Sequence, residues 1–184
     1  MIRTLLWLLG GVMLGGIIHI IVVLTLPTLA EDTVWSRIEA LGASNRMVVL
    51  PAVQPGQPNP LRLDPDLAYG LCQLDLSQGP GYVSGMLPDA FWSVALFNDQ
   101  GIVTYSTTNR DGIGQTLAMG IFNAAQTRLL AQQQIDIEEG LLVVEAATDK
   151  LAVVVRLAPP HQAMRSRFET ALSQVQCGTR PTPP

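Results

Sequence analysis

Residues 4–26 contain no Asp, Glu, Lys or Arg, and residues 5–26 are interrupted only by His19 and Thr25 and by glycines. At a helical rise of 1.5 Å per residue, a run of this length crosses a hydrocarbon core of roughly 30 Å. This predicts a membrane helix contacting the bilayer through residues 4–26 and ending at Pro27, whose ring removes a ladder hydrogen bond. A secretory signal is the competing reading, since Thr28-Leu29-Ala30 before Glu31 could be cleaved. Signal cores, however, run about 7 to 15 residues, and this run is longer, which favours an uncleaved anchor. Arg3 lies on the short N-terminal side, so the positive-inside tendency leaves that end in the cytoplasm and the rest of the chain outside.

Within the helix, Gly11 and Gly15 have the spacing of a small-residue packing face, and His19 continues it one turn on. Intramembrane polar residues tend to face protein, which makes this face a candidate contact with a partner helix. The plainer reading is that glycines are common in membrane helices and that a neutral His finds a carbonyl or a water.

Beyond residue 30 the chain holds ten Lys and Arg against fifteen Asp and Glu. No basic stripe stands ready to neutralise phosphates, which argues against nucleic acid as a partner. The 184 residues divide into an anchor (1–27), a juxtamembrane helix and Pro-rich linker (28–60), an extracytoplasmic domain (61–178) and a tail (179–184). Thr28 and Glu31 have capping-box spacing, Trp35, Ile38 and Leu41 recur at helical intervals, and Gly42 can supply a left-handed stop, predicting a helix over 29–41. Its apolar face lies either in the membrane interface or on the domain. Four prolines in 51–60 read as extended chain, and the short segment 46–50 before them reads as a strand or arm returning to the main sheet.

The densest structural signal is 91–107. Phe91-Trp92-Ser93-Val94-Ala95-Leu96-Phe97 and Ile102-Val103-Thr104-Tyr105-Ser106-Thr107 flank Asn98-Asp99-Gln100-Gly101, a β-hairpin pattern with a glycine able to take positive φ. Trp92, Val94 and Leu96 share one strand face, while Phe91, Ala95 and Phe97 share the other. A strand apolar on both faces belongs in the middle of a core. Further strands are expected at 69–76, 82–86 and 116–122, and Asn123 stands as N-cap to a helix over 124–133. A second hairpin is expected from 141–146 and 151–157 about Ala147-Thr148-Asp149-Lys150. Pro159-Pro160 then opens a helix whose Met164, Phe168, Leu172 and Val175 form an apolar stripe. The expected class is α+β: an antiparallel sheet of about six to eight strands covered by two or three helices, with one N-terminal transmembrane helix.

Cys72 and Cys177 are the two cysteines. In an oxidising compartment an even pair usually bonds, tying the C-terminal helix to the sheet; two buried thiols are the alternative. His19 is in the membrane segment and His161 follows two prolines, so no imidazole base is in evidence for a Ser or Cys triad. Metal-ligand spacing and a phosphate loop are likewise absent from the sequence, and no cofactor is expected. Asp64-Pro65-Asp66 could hold a cation but reads more readily as a turn opener. Asp75 reads as a cap for the 77–81 turn rather than as a perturbed acid. Asn109 and Arg110, at a strand end, could meet an anionic ligand, although Arg110 beside Asp111 is also an ordinary solvated pair.

The stretch Asp64-Pro65-Asp66-Leu67-Ala68-Tyr69-Gly70-Leu71-Cys72-Gln73-Leu74-Asp75-Leu76-Ser77-Gln78-Gly79-Pro80, with Phe91-Trp92-Ser93-Val94, Tyr105-Ser106 and Asn109-Arg110, resembles the short membrane-anchored members of a bacterial family, domain of unknown function 1254. The likeness runs over residues 64–177. It continues in Asn123-Ala124-Ala125-Gln126, where such proteins have a Thr-Pro-Ala-Gln helix start; Asn123-Ala124 departs from that pattern but keeps a capping side chain. The resemblance implies a single-pass protein of a Gram-negative inner membrane with a periplasmic domain, and a companion protein of the related family 1214. It carries no activity and no catalytic residues. The expected function is a non-enzymatic envelope component that binds a partner protein, either that companion or further copies of itself. The alternative is a module for a small or lipidic ligand, held between sheet and helices with Arg110 and Asn109 at its rim. A hydrolase ranks last.

Overall fold

The computed structural model describes residues 1–29, 34–110, 115–133 and 140–180. Helix α1 (Ile2–Leu29) includes one span, Ile2–Leu26, long and apolar enough to cross a membrane, and none of that span is buried against the rest of the protein. The helix runs on through Pro27 to Leu29 rather than stopping at the proline. A proline this near a C-terminus removes one hydrogen bond from a ladder that is about to end anyway.

The rest is α+β, with nine strands in two sheets among the described residues. The first sheet contains β1 (Val48–Val49), β2 (Ala68–Asp75), β4 (Trp92–Asn98), β5 (Val103–Thr108) and β8 (Lys150–Leu157), ordered β1-β2-β8-β4-β5 and antiparallel throughout. The second contains β3 (Gly81–Met86), β6 (Thr116–Asn123), β7 (Leu142–Ala146) and β9 (Gln176–Thr179), ordered β7-β6-β3-β9. Its β6–β7 pair is parallel, so the sheet is mixed rather than wholly antiparallel.

The principal core lies between the sheets. Trp92, Val94, Leu96, Val153 and Leu157 of the first sheet meet Val83, Leu117, Met119, Ile121 and Val144 of the second. Phe168 and Leu172 of α4 (Arg165–Ser173) complete it, so the predicted apolar stripe is the buried face of that helix. The helix begins at Arg165, after the two prolines, an extended His161 and a short 3-10 turn, not at the prolines. α4 lies against β2 at Gly70, where an added Cβ would sit 2.8 Å from Met47 Sδ and 3.1 Å from Leu172 Cδ2. A side chain at this position would make Met47 and Leu172 shift.

The outer face of the first sheet carries a second apolar layer. Ile38 of α2 (Val34–Ala40), Ala43 and Leu50 are buried there with Tyr69, Leu71 and Ala152, and Trp35, Leu61, Leu63 and Leu67 pack around them. The apolar face of α2 therefore lies on the domain, and the arm before the prolines returns as β1. Gly42 takes φ +62°, the expected left-handed stop; Thr28, read as the cap, instead lies inside α1, Glu31 lies outside the described residues, and the helix before Gly42 is described from Val34 to Ala40. With layers on both sides, β8 and β4 are buried on both faces, which explains their near-continuous runs of apolar residues.

The β4–β5 hairpin forms as expected, with Gly101 at φ +77° and a bulge between Leu96 and Phe97. The second expected hairpin does not. β7 leaves the second sheet, the chain turns at residues 147–149, and β8 enters the middle of the first sheet between β2 and β4. None of residues 147–150 has positive φ, so the break does not form a tight two-residue hairpin turn.

Cys72 of β2 and Cys177 of β9 are disulfide-bonded, with Cα atoms 6.4 Å apart. Cys177 sits in a strand beyond α4, so the bond ties one sheet to the other instead of a helix to a sheet. β9 ends at Thr179, inside the stretch read as tail, and the Arg180 guanidinium lies 4.7 Å over the Tyr82 ring; residues 181–184 lie outside the described residues.

Candidate functional site

The sequence candidates do not converge on one place. Arg110 is exposed just past the end of β5, and its backbone N–H donates to Thr108 Oγ1 at 3.3 Å. The Asn109 backbone N–H donates to the Trp92 carbonyl, and its Oδ1 is buried with no hydrogen-bond partner among the described residues. Asp111 lies outside those residues. Neither Asn109 nor Arg110 lines the clefts described below. Gly11, Gly15 and His19 lie along α1, and a Cβ at either glycine would meet nothing within 4 Å, leaving that face open in the chain itself.

Asp64 opens a turn: its Oδ1 accepts from the Asp66 N–H at 2.9 Å, and its own N–H donates to Tyr69 Oη. Asp66 then joins His161, Gln162, Arg165 and the two prolines around a cleft of about 280 Å3. This neighbourhood of acid and imidazole was invisible in the sequence because 95 residues separate Asp66 from His161 and no local pattern links them. Arg165 is spoken for: Nε bonds Glu169, and the two terminal nitrogens donate to the Pro65 and Leu67 carbonyls at 2.7 and 2.8 Å. It clasps α4 to the Asp64 turn. Gln162 Nε2 donates to Asp66 Oδ1. Among the described residues, no Ser, Thr or Cys lines the cleft.

A second cleft, about 310 Å3, opens between α2 and the end of β2, lined by Trp35, Glu39, Ser44, Asn45, Gln73, Leu74, Asp75 and Lys150. Trp35 Nε1 donates to Glu39 Oε1 at 2.7 Å. Asn45, at φ +52°, accepts from the Thr179 N–H, and its own N–H donates to the Gln73 carbonyl. Asp75 caps the following turn as expected, accepting from the Ser77 hydroxyl at 2.6 Å and the Ser77 N–H at 3.0 Å. The Ser77 hydroxyl holds the Asp75 carboxyl below its ordinary range; the Ser77 N–H and Lys150, its register partner on β8, act in the same direction, and partial burial acts against them. Gln73 is only 7% exposed, and its side chain makes no hydrogen bond among the described residues, although its backbone N–H donates to the Ala43 carbonyl.

No family model and no curated protein matches this chain. Among solved structures it is similar to the VPA0106 protein of Vibrio parahaemolyticus, with TM-score 0.51 and 12% identity over 66% of this chain and 32% of that one. It is also similar to an uncharacterised protein of Burkholderia cenocepacia, with TM-score 0.49 and 15% identity over 82% of this chain and 42% of the other. The chain thus spans about a third of the first of these proteins and less than half of the second. At 12% identity the likeness to the first shows the fold alone.

Proposed function

We propose that this chain is a non-enzymatic, membrane-anchored envelope component whose domain binds a partner protein. The observation that carries this reading is the outer edge of β5. Among the described residues it ends its sheet; its first four residues, Val103 to Ser106, carry no charge or proline, Val103 is 50% exposed, and Ile102 just before it is 57% exposed. Native edges are usually blunted by charge, proline or brevity, and an unblunted one is a template for an added strand. The opposite edge, β1, has two residues, and β7 and β9 have five and four. The occupant we assign to the β5 edge is an extended segment of a partner protein.

The apolar span of α1 and the Cys72–Cys177 bond support a chain fixed in a membrane with its domain in an oxidising compartment. With Arg3 inside, that arrangement corresponds to a single pass through a bacterial inner membrane and a periplasmic domain. The resemblance to domain of unknown function 1254 adds a family 1214 companion as the partner to look for first. A second copy of this chain, meeting along Gly11, Gly15 and His19, is the other. Pull-down of the full-length protein from its own membrane, wild type beside Val103→Lys and beside Gly11→Leu with Gly15→Leu, distinguishes the two surfaces. The reading expects Val103→Lys to release the partner, and undiminished recovery with that variant would remove the edge from the account.

A further inference from the structure

We propose that the cleft floored by Gln73 binds a neutral polyhydroxylated small molecule of one ring, such as a pyranose sugar. The proposal stands apart from partner binding at the β5 edge. Its starting point is Gln73, which is 7% exposed, lines the cleft, and makes no side-chain hydrogen bond among the described residues. A carboxamide carries two donors and an acceptor oxygen; the Gln73 amide is not among the fully buried unpaired atoms, so it opens to the cleft, where a ligand or water can offer both kinds of partner. A sugar hydroxyl donates and accepts at once.

The surroundings narrow the class. Trp35 forms a wall, and the bond from its Nε1 to Glu39 restrains the indole, giving an apolar platform of the kind on which the C–H face of a pyranose rests. Around it stand two carboxylates, Glu39 and Asp75, one ammonium, Lys150, and the polar side chains of Ser44 and Asn45. Two negative charges against one positive disfavour a phosphate or carboxylate ligand, while the mixture of donors and acceptors suits hydroxyl groups. The volume of about 310 Å3 lies at the lower end of small-molecule sites, which run about 300–1,000 Å3. That suits a single ring rather than an oligomer.

The test is a titration of the full-length protein in a detergent with no sugar head group, using D-glucose, D-galactose and N-acetyl-D-glucosamine, with inorganic phosphate and glycine as charged controls. The readout is the indole N–H resonance of Trp35, assigned with Trp35→Phe, and the side-chain amide of Gln73. We expect a saturable shift of both signals with at least one pyranose, no movement of the Trp7 and Trp92 indoles, and about tenfold weaker binding in Gln73→Leu. Trp35→Phe, read through the Gln73 amide, supplies an independent loss of affinity should Gln73→Leu fail to fold. Absence of a saturable shift with all three sugars, saturation by phosphate or glycine instead, or binding undiminished in both variants would overturn the proposal.

Discussion

Two stretches of this chain look alike in sequence and fold differently. Residues 92–108 and residues 142–157 each show two apolar, β-branched runs around a short polar break. The first closes into a hairpin through Gly101 at φ +77°, and the second passes from one sheet to the other. The contrast teaches that apolar alternation marks strands but turn chemistry decides their pairing. Asp149 shows how the crossing is held instead: its backbone carbonyl accepts from the Leu76 N–H at 2.8 Å and its side chain accepts from Asn123 Nδ2 at 2.9 Å.

The largest effect should come from cutting the covalent link between the sheets that the crossing connects. Cys72→Ala with Cys177→Ala should cost about 2–5 kcal/mol in urea denaturation. A near-zero cost would mean that packing alone fixes the sheets. Next, Thr148→Asn with Asp149→Gly gives the crossing the turn sequence of a hairpin. It should destabilise by about 1–2 kcal/mol, because the Asp149 side-chain bond to Asn123 is lost and a turn that needs no positive φ becomes looser. Were β7 and β8 a hairpin, the same change would stabilise. In the true hairpin, Gly101→Ala should cost about 1 kcal/mol for placing a side chain at positive φ, whereas Ala147→Gly in the crossing should cost less. Thermal melts of the two variants side by side give the comparison.

The smallest effect concerns pH. Asp75 caps the turn that follows β2, and its carboxyl titrates below its ordinary value of 3.8 chiefly because the Ser77 hydroxyl donates to it. A depressed folded value means that the ionised carboxylate adds stability above the ordinary value, and that this stability is lost as pH falls through the folded value. The stability gap between wild type and Asp75→Asn should therefore be full at neutral pH and shrink below pH 3.8. A gap that persists unchanged in acid would assign the cap to geometry rather than charge.

Strong local signals were readable in the sequence. The uncharged run gave α1, the paired faces of Trp92 and Phe97 gave a doubly covered strand, and Asn123 gave the start of α3 (Ala124–Gln133). In the structure that start is reciprocal: Asn123 Oδ1 accepts from the Gln126 N–H, and Gln126 Oε1 accepts from the Asn123 N–H, both at 2.9 Å. Gln126 could have been read as the second half of a capping box, since Gln three residues after the cap is its signature. Contacts made across the fold were not readable. Asp66 with His161, Trp35 with Gln73, and Arg165 with the Pro65 and Leu67 carbonyls join segments that carry no common pattern, and only the packing of two sheets brings them together. Arg110 lies at an exposed strand end and lines neither the Gln73 cleft nor the His161 cleft.

The most direct test of the functional account is the native mass of the full-length protein, extracted gently from its own membrane without reductant. Partner binding through the domain predicts a species heavier than the 19.8 kDa chain, reduced to a single chain by Val103→Lys at the β5 edge. A wild-type protein that runs as one 19.8 kDa chain under those conditions would contradict it.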